Sequence, residues 1–256
     1  MNILISILAA AATALLGVAA GFGIIYIFNK MPAKWLCDYN EKPDERHIPP
    51  RIGKYPWGLV FSVILATASF KVGYMISWQY AIAVLPALWS LLIISISDRK
   101  YHIIPDQFII VLAVTGIGFV TLGIKQLPDK ILDEPSIHMF SEKFAFMSPV
   151  IGLLIGGGTF FLIGTIGKLV MKKDTLGFGD VKLIGTCGLI SGIYGILMIM
   201  ILTSLTSAVF FAVQLARKRL TAKDTTALGP FIALSTGLYL IFPQEIAHVA
   251  DLLLRM

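Results

Sequence analysis

A chain of 256 residues that is 57% hydrophobic and only 14% charged lies outside the composition of soluble domains and reads as an integral membrane protein. Its net charge of +6 would suggest nucleic acid in a soluble chain, but in a membrane protein cations mark cytoplasmic loops, so a lipid bilayer and not nucleic acid is the expected partner. The two cysteines, Cys37 and Cys187, match no disulfide or metal spacing and exclude little else.

Residues 3–28 carry no charge and are long enough to cross a hydrocarbon core of roughly 30 Å at about 1.5 Å per residue. A cleaved signal peptide is the competing reading, and it is the weaker one because no basic residue precedes the run and Lys30 follows it. Further apolar blocks lie at 57–76, 79–97, 107–124, 144–170, 181–214 and 227–242. The stretch 181–214 exceeds the ~20 residues of one span, and "SGIYG" at 191–195 offers a break. The fold class expected is therefore all-α, a polytopic membrane helix bundle of about eight transmembrane segments, with seven or six as alternatives.

With the N-terminus outside, 16 of the 21 cations face the cytoplasm, and only Lys71, Lys125, Lys130, Lys143 and Arg255 fall opposite. That bias supports an outward N-terminus and an even number of spans. Two polar connections separate the spans. Residues 29–56 form a proline-rich cytoplasmic loop of mixed charge, too small for a core of its own but able to lie against the membrane surface. Residues 125–143 form an external polar loop.

Of the 15 carboxylates, Asp98 and Asp180 are the best placed for chemistry. Asp98 ends the third span in "LLIISISDRKYHIIPDQ", and Asp180 opens the sixth in "GFGDVKLIG"; the topology puts both at the cytoplasmic boundary. An acid beside hydrocarbon is costly to ionise, so it is paired, solvated in a cavity or held neutral. Two such acids that meet share one proton, the state in which one carboxylate activates water while the other hydrogen-bonds a scissile carbonyl. Gly177 and Gly179 would allow unusual torsions and the close approach of an extended peptide.

Each feature also has a structural reading. Asp180 could cap a helix, and Asp98 could pair with Arg99 or Lys100. "IIPD" at 103–106 could be a turn that starts the fourth helix at Pro105, and Lys182 a snorkelling lysine. His47, His102, His138 and His248 have no ligand spacing and read as surface or interfacial, and Cys187 reads as a packing residue, so neither a metal nor a cofactor is expected.

Three motifs bear a resemblance that weighs between these readings. "DRKYHIIPD" at 98–106, "GFGDVKLIGTCGLISG" at 177–192 and "ALGPFIALSTG" at 227–237 resemble, in order and hydropathy, the motifs of the type IV prepilin leader peptidases. The resemblance implies a GxGD-type membrane aspartic endopeptidase with Asp98 and Asp180 as its catalytic pair. It implies prepilin or pseudopilin substrates whose short basic leader is cut before a long apolar helix. Gly177 and Gly179 would shape the active-site backbone, while Pro105, Asp106 and Lys182 belong to the motifs and would position the loop or substrate.

On this reading residues 1–56 are a first span with its cytoplasmic loop, and 57–256 are the peptidase domain. Many family members carry two CxxC pairs in that loop, associated with N-methylation of the new terminus. Here "MPAKWLCDYN" keeps only Cys37, so zinc is not expected and the methyltransferase activity is doubtful. The alternative class is a proton- or ion-coupled transporter that uses the boundary acids, although such carriers place them near the midplane. Neither the oligomeric state nor the particular pilin follows from the sequence.

Overall fold

The structure, a computed structural model, describes residues 3–37, 42, 43, 45–121, 147–172, 176–218 and 227–254. Among them are eight α-helices and no strand, as the all-α expectation requires. They are α1 (Ile3–Lys30), α2 (Trp57–Met75), α3 (Trp78–Tyr101), α4 (Asp106–Thr121), α5 (Ser148–Met171), α6 (Phe178–Ala216), α7 (Gly229–Ile241) and α8 (Pro243–Leu254). Two single 3-10 turns, Ala33–Leu36 and Glu45–His47, lie between α1 and α2. Helices α1, α2, α3, α5 and α6 are long and apolar enough to cross a membrane, and α4 and α7 are shorter apolar helices. The external loop expected at 125–143, with His138, lies outside the described residues.

The chain divides into two compact units, Met1–Val111 and Leu112–Met256. In the first, α1 and α2 run antiparallel in close contact. A Cβ on Gly17 would stand 2.6 Å from the Leu65 carbonyl oxygen, and one on Gly73 would stand 2.7 Å from Thr13 Oγ1. Hydroxyl bonds join the same faces: Ser62 Oγ donates to the Val18 carbonyl at 3.0 Å and Thr13 Oγ1 to that of Ser69 at 3.1 Å. Small residues serve this purpose because lipid tails are as apolar as leucine, so helix association rests on close van der Waals packing and a few hydrogen bonds. Trp89 ties α3 to α1 by donating Nε1 to the Ala20 carbonyl at 3.1 Å. Ile24, Phe28, Leu65 and Ile94 are all but fully buried in this unit.

In the second unit α5 and α6 are antiparallel and pack even more tightly. A Cβ on Gly152 would meet backbone atoms of Gly188 and Gly192, and one on Gly188 would meet the Gly152 carbonyl. Helix α6 has 39 residues, about 58 Å at 1.5 Å per residue, which is more than one crossing needs. The break expected within 191–195 is found at Gly192, whose φ of 69° and ψ of −171° are open only to glycine. The next backbone N–H, that of Ile193, donates to Ser148 Oγ on α5 at 3.1 Å, which satisfies a group the kink would otherwise strand. Further along α6, Tyr239 of α7 packs against Gly195, and the Phe231 ring meets that of Phe210, tilted, at 5.2 Å between centroids.

Much of the remaining apolar surface faces outward. Leu169 and Val170 of α5 are 75% and 76% exposed, the surface that a bilayer solvates. Helix α8 is an addition to the sequence reading, which ended the last element at 242. Its exposed Gln244, Glu245 and His248 alternate with buried Ala247 and half-buried Ile246, an amphipathic pattern too polar to register as a span.

The glycine contact is testable. Gly188→Val should lower the unfolding midpoint in detergent by the equivalent of about 1–3 kcal/mol, the usual cost of overpacking. Gly158→Ala on α5, where a Cβ would meet nothing within 4 Å, should leave the midpoint unchanged or raise it.

Candidate active site

Asp98 stands in the last turn of α3 and is 6% exposed. The turn after it is closely determined. His102 adopts the left-handed conformation (φ 55°, ψ 35°), and its N–H closes back on the Asp98 carbonyl at 2.9 Å. Ser97 Oγ donates to the Ile103 carbonyl at 2.8 Å, which clamps the exiting chain to the helix it has just left. Buried Pro105 bars further helix, and α4 starts afresh at Asp106 with the Phe108 N–H on the Pro105 carbonyl at 3.1 Å. Half-buried Asp106 occupies the first turn of α4, where the helix dipole favours an acid. The proline turn was thus correctly read, and it carries one acid on each side.

Asp180 stands in the first turn of α6. The N-cap is Gly177, so Asp180 is not itself the capping residue; its N–H bonds the Gly177 carbonyl at 3.1 Å. The carboxylate folds back toward that cap. A Cβ on Gly177 would stand 3.2 Å from Asp180 Oδ2, and Oδ1 is shut off from solvent. Gly177 has an ordinary extended backbone (φ −71°, ψ 141°), and Gly179 is helical. The unusual torsions expected of this pair are therefore absent, and the missing side chain of Gly177 makes room for the acid. Half-buried Lys182 places its ammonium over the Phe178 ring at 5.2 Å, one helical turn away. Helix α5 steadies this start: a Cβ on Gly157 would stand 3.7 Å from the Val181 carbonyl oxygen, and one on Gly164 would stand 3.3 Å from Leu176 Cβ.

The first unit holds a feature that the sequence reading missed. The described part of the segment after α1, around residues 46–52, is bound to the ends of α1 and α3. Arg51, 7% exposed, donates from Nη1 to the carbonyls of Phe28 and Met31, both at 2.7 Å, and from Nε to that of His47 at 2.8 Å. Asn29 Oδ1 accepts from the backbone N–H of Arg51 at 2.7 Å and of Ile52 at 3.0 Å. From α3, Lys100 Nζ donates to the Arg51 carbonyl at 2.6 Å and Tyr101 Oη to the Arg46 carbonyl at 3.0 Å. His47, expected at the surface or the interface, is buried with its ring stacked on Tyr101 at 4.8 Å. Burial lowers the Arg51 pKa from its ordinary value, with smaller opposing effects from Tyr101 and Cys37. Apart from His47, four positions from Arg51, the partners are some 20 to 55 positions apart in sequence, so no local signal could have found them.

Residues 85–212, half of the chain, match the model of the Type IV leader peptidase family. The chain belongs to this family. Asp98, Pro105, Asp106, Gly177, Gly179, Asp180 and Lys182 all lie within the matched stretch, and the Gly-Pro-Phe segment at 229–231 lies beyond it. The chain is 25% identical to a prepilin leader peptidase/N-methyltransferase of Pseudomonas putida, over 67% of its own length and 55% of the relative's. It is 26% identical to proteins of the same name from Stutzerimonas stutzeri and Pseudomonas aeruginosa, over 66% and 73% of this chain and 52% and 59% of theirs. The chain thus spans little more than half the length of these relatives. No solved structure matches it. Its apolar helices and its family make it a multi-pass membrane protein.

The exposed left-handed His102 that caps the α3 end gives a direct test. Glycine adopts this conformation without the side-chain penalty, so His102→Gly should raise the unfolding midpoint in detergent by the equivalent of roughly 0.5–1 kcal/mol.

Proposed function

We propose that the protein is an aspartic endopeptidase of the GxGD type that removes the short basic leader from prepilins or pseudopilins. The reading rests on one observation: the two motif acids, Asp98 and Asp180, each occupy the terminal turn of a long apolar helix inside the stretch that matches the family. Residues 57–256 are the catalytic part, and 1–56 support it. The cation distribution, with most basic residues on one side of the expected topology, supports a reaction at the cytoplasmic boundary and an N-terminus outside. A leader held in the cytoplasm by its charges, ahead of a helix held in the bilayer, brings its cleavage site to that depth.

The chemistry needs both carboxylates at one peptide bond. The ionised one takes a proton from water as the water oxygen attacks the carbonyl carbon, and the protonated one hydrogen-bonds the carbonyl oxygen. Collapse of the tetrahedral intermediate breaks the C–N bond, and the departing nitrogen receives a proton from a carboxyl group. Gly177 leaves space for the Asp180 carboxylate, while Pro105 and Asp106 fix the turn that follows Asp98. Lys182, held over Phe178, positions the chain at the mouth of α6. The names of the relatives also include an N-methyltransferase. We assign this chain the peptidase step alone, because the tetracysteine pattern associated with methylation is absent from its loop.

The test is co-expression of the full chain with a prepilin-like substrate, with leader removal followed as a gel shift. Asp98→Asn and Asp180→Asn should each slow cleavage by at least about 10³-fold, in the range expected for loss of a general acid or base. Gly177→Ala should cost less, about tenfold, by displacing the carboxylate without removing it. Leader removal that survives both aspartate changes would sink the assignment, and ion-dependent uptake into proteoliposomes lost on those changes would replace it with a carrier.

A further inference from the structure

We infer that Arg51 is a positioning residue for Asp98, acting through the last turn of α3; the inference rests on the peptidase reading for its kinetic consequence and on the first unit alone for its geometry. The argument starts from where the guanidinium is used. Three of its N–H···O bonds go to carbonyls of Phe28, Met31 and His47, which belong to the end of α1 and to the 3-10 turn Glu45–His47. These carbonyls cannot all find helical partners, since the last turn of a helix leaves its acceptors open. A planar donor with a fixed fork can meet several at once, which a lysine ammonium does with less geometric definition.

The segment so fixed then receives α3. Residues two and three positions after Asp98 both reach into it: Lys100 through the Arg51 carbonyl at 2.6 Å and Tyr101 through the Arg46 carbonyl at 3.0 Å. The Tyr101 ring is also packed between His47 at 4.8 Å and Phe28 at 6.3 Å. Lys100 and Tyr101 share the final helical turn with Asp98, whose own carbonyl accepts the capping N–H of His102. Removing the guanidinium therefore frees the platform on which that turn is anchored, and the direction of the Asp98 carboxylate is what loosens. Exposed Arg99, between Asp98 and its two anchors in sequence, is not part of the platform.

The experiment uses the full chain in membranes with Arg51→Ala, Arg51→Lys, Tyr101→Phe and Lys100→Met. Leader cleavage should lose about tenfold in kcat with KM within twofold in Arg51→Ala, and Arg51→Lys should recover only part of it. Tyr101→Phe, which deletes one hydroxyl and keeps the ring, should show the same split at smaller size and stands in if Arg51→Ala does not fold. Hydrogen exchange gives a second readout independent of activity: amides of 97–105 should exchange faster in Arg51→Ala while those of α5 and α6 keep their protection. Unchanged exchange at 97–105, or faster exchange spread evenly over the chain, overturns the positioning role. So does a loss of kcat that only tracks the folded fraction. A wild type that fails to cut the leader strikes the peptidase reading, and faster exchange confined to 97–105 then still supports the role of Arg51.

Discussion

A hydrocarbon core offers the backbone no hydrogen-bond partner except the chain itself, and this constraint arranges everything else in the protein. Within a long apolar helix every N–H and C=O is used, so the polar side chains there are small hydroxyls such as Thr13 and Ser62 that bond a backbone carbonyl of the neighbouring helix, and charged groups are costly. At a helix end the unpaired backbone groups must be satisfied locally, and that is where polar chemistry can gather at small cost. Both motif acids follow this rule. Asp98 closes α3 and Asp180 opens α6, each beside a turn whose backbone groups are met by His102, Ser97 or Gly177.

The same constraint explains why the two ends are built from different materials. The start of α6 is held from inside the bilayer, where α5 and α6 approach through Gly152, Gly157, Gly185 and Gly188. Direct backbone contact is one of the few strong attractions left between helices when the solvent is lipid. Even the one irregularity in α6, the kink at Gly192, keeps its backbone satisfied by borrowing a hydroxyl from Ser148 on α5. The end of α3 is held by a polar segment organised around a single buried guanidinium.

What could be read from the sequence follows from how far apart the interacting residues are. The spans were legible because hydrocarbon thickness sets a length, and the observed helices begin and end within a few residues of the apolar blocks. The break in 181–214 was legible because glycines in "SGIYG" mark a point where helix can fail, and Gly192 is that point. The proline turn at 103–106 and the acids beside it were equally local. The Arg51 platform was not legible, since Asn29, Arg51 and Tyr101 show no pattern until the chain folds. His47 was misread for the same reason: nothing local announces that Tyr101 will cover it. Of the two properties expected of the glycines before Asp180, the unusual torsion is not found, because Gly177 is extended with φ of −71° and Gly179 is helical, while the missing side chain of Gly177 leaves space beside Oδ2. Helix α8 escaped because a short amphipathic helix after a proline resembles a polar tail when hydropathy is the measure.

The two ways of holding an acid have different weaknesses. The glycine contacts between α5 and α6 involve no group that water, salt or a lipid headgroup could bind better than its present partner, so the packing that supports the start of α6 depends mainly on shape. The platform under Asp98 is made of hydrogen bonds at the polar edge of the chain, where exposed Lys54 and Arg99 stand nearby in sequence and solvent competes for the outer carbonyls that Lys100 and Tyr101 reach. Burial of the guanidinium limits that competition, since three carbonyls lose their partners together if it leaves. The loop between α1 and α2 therefore has a physical reason to keep one arginine inside: a segment too small for a hydrophobic core can still be fixed by one donor that satisfies several acceptors at once.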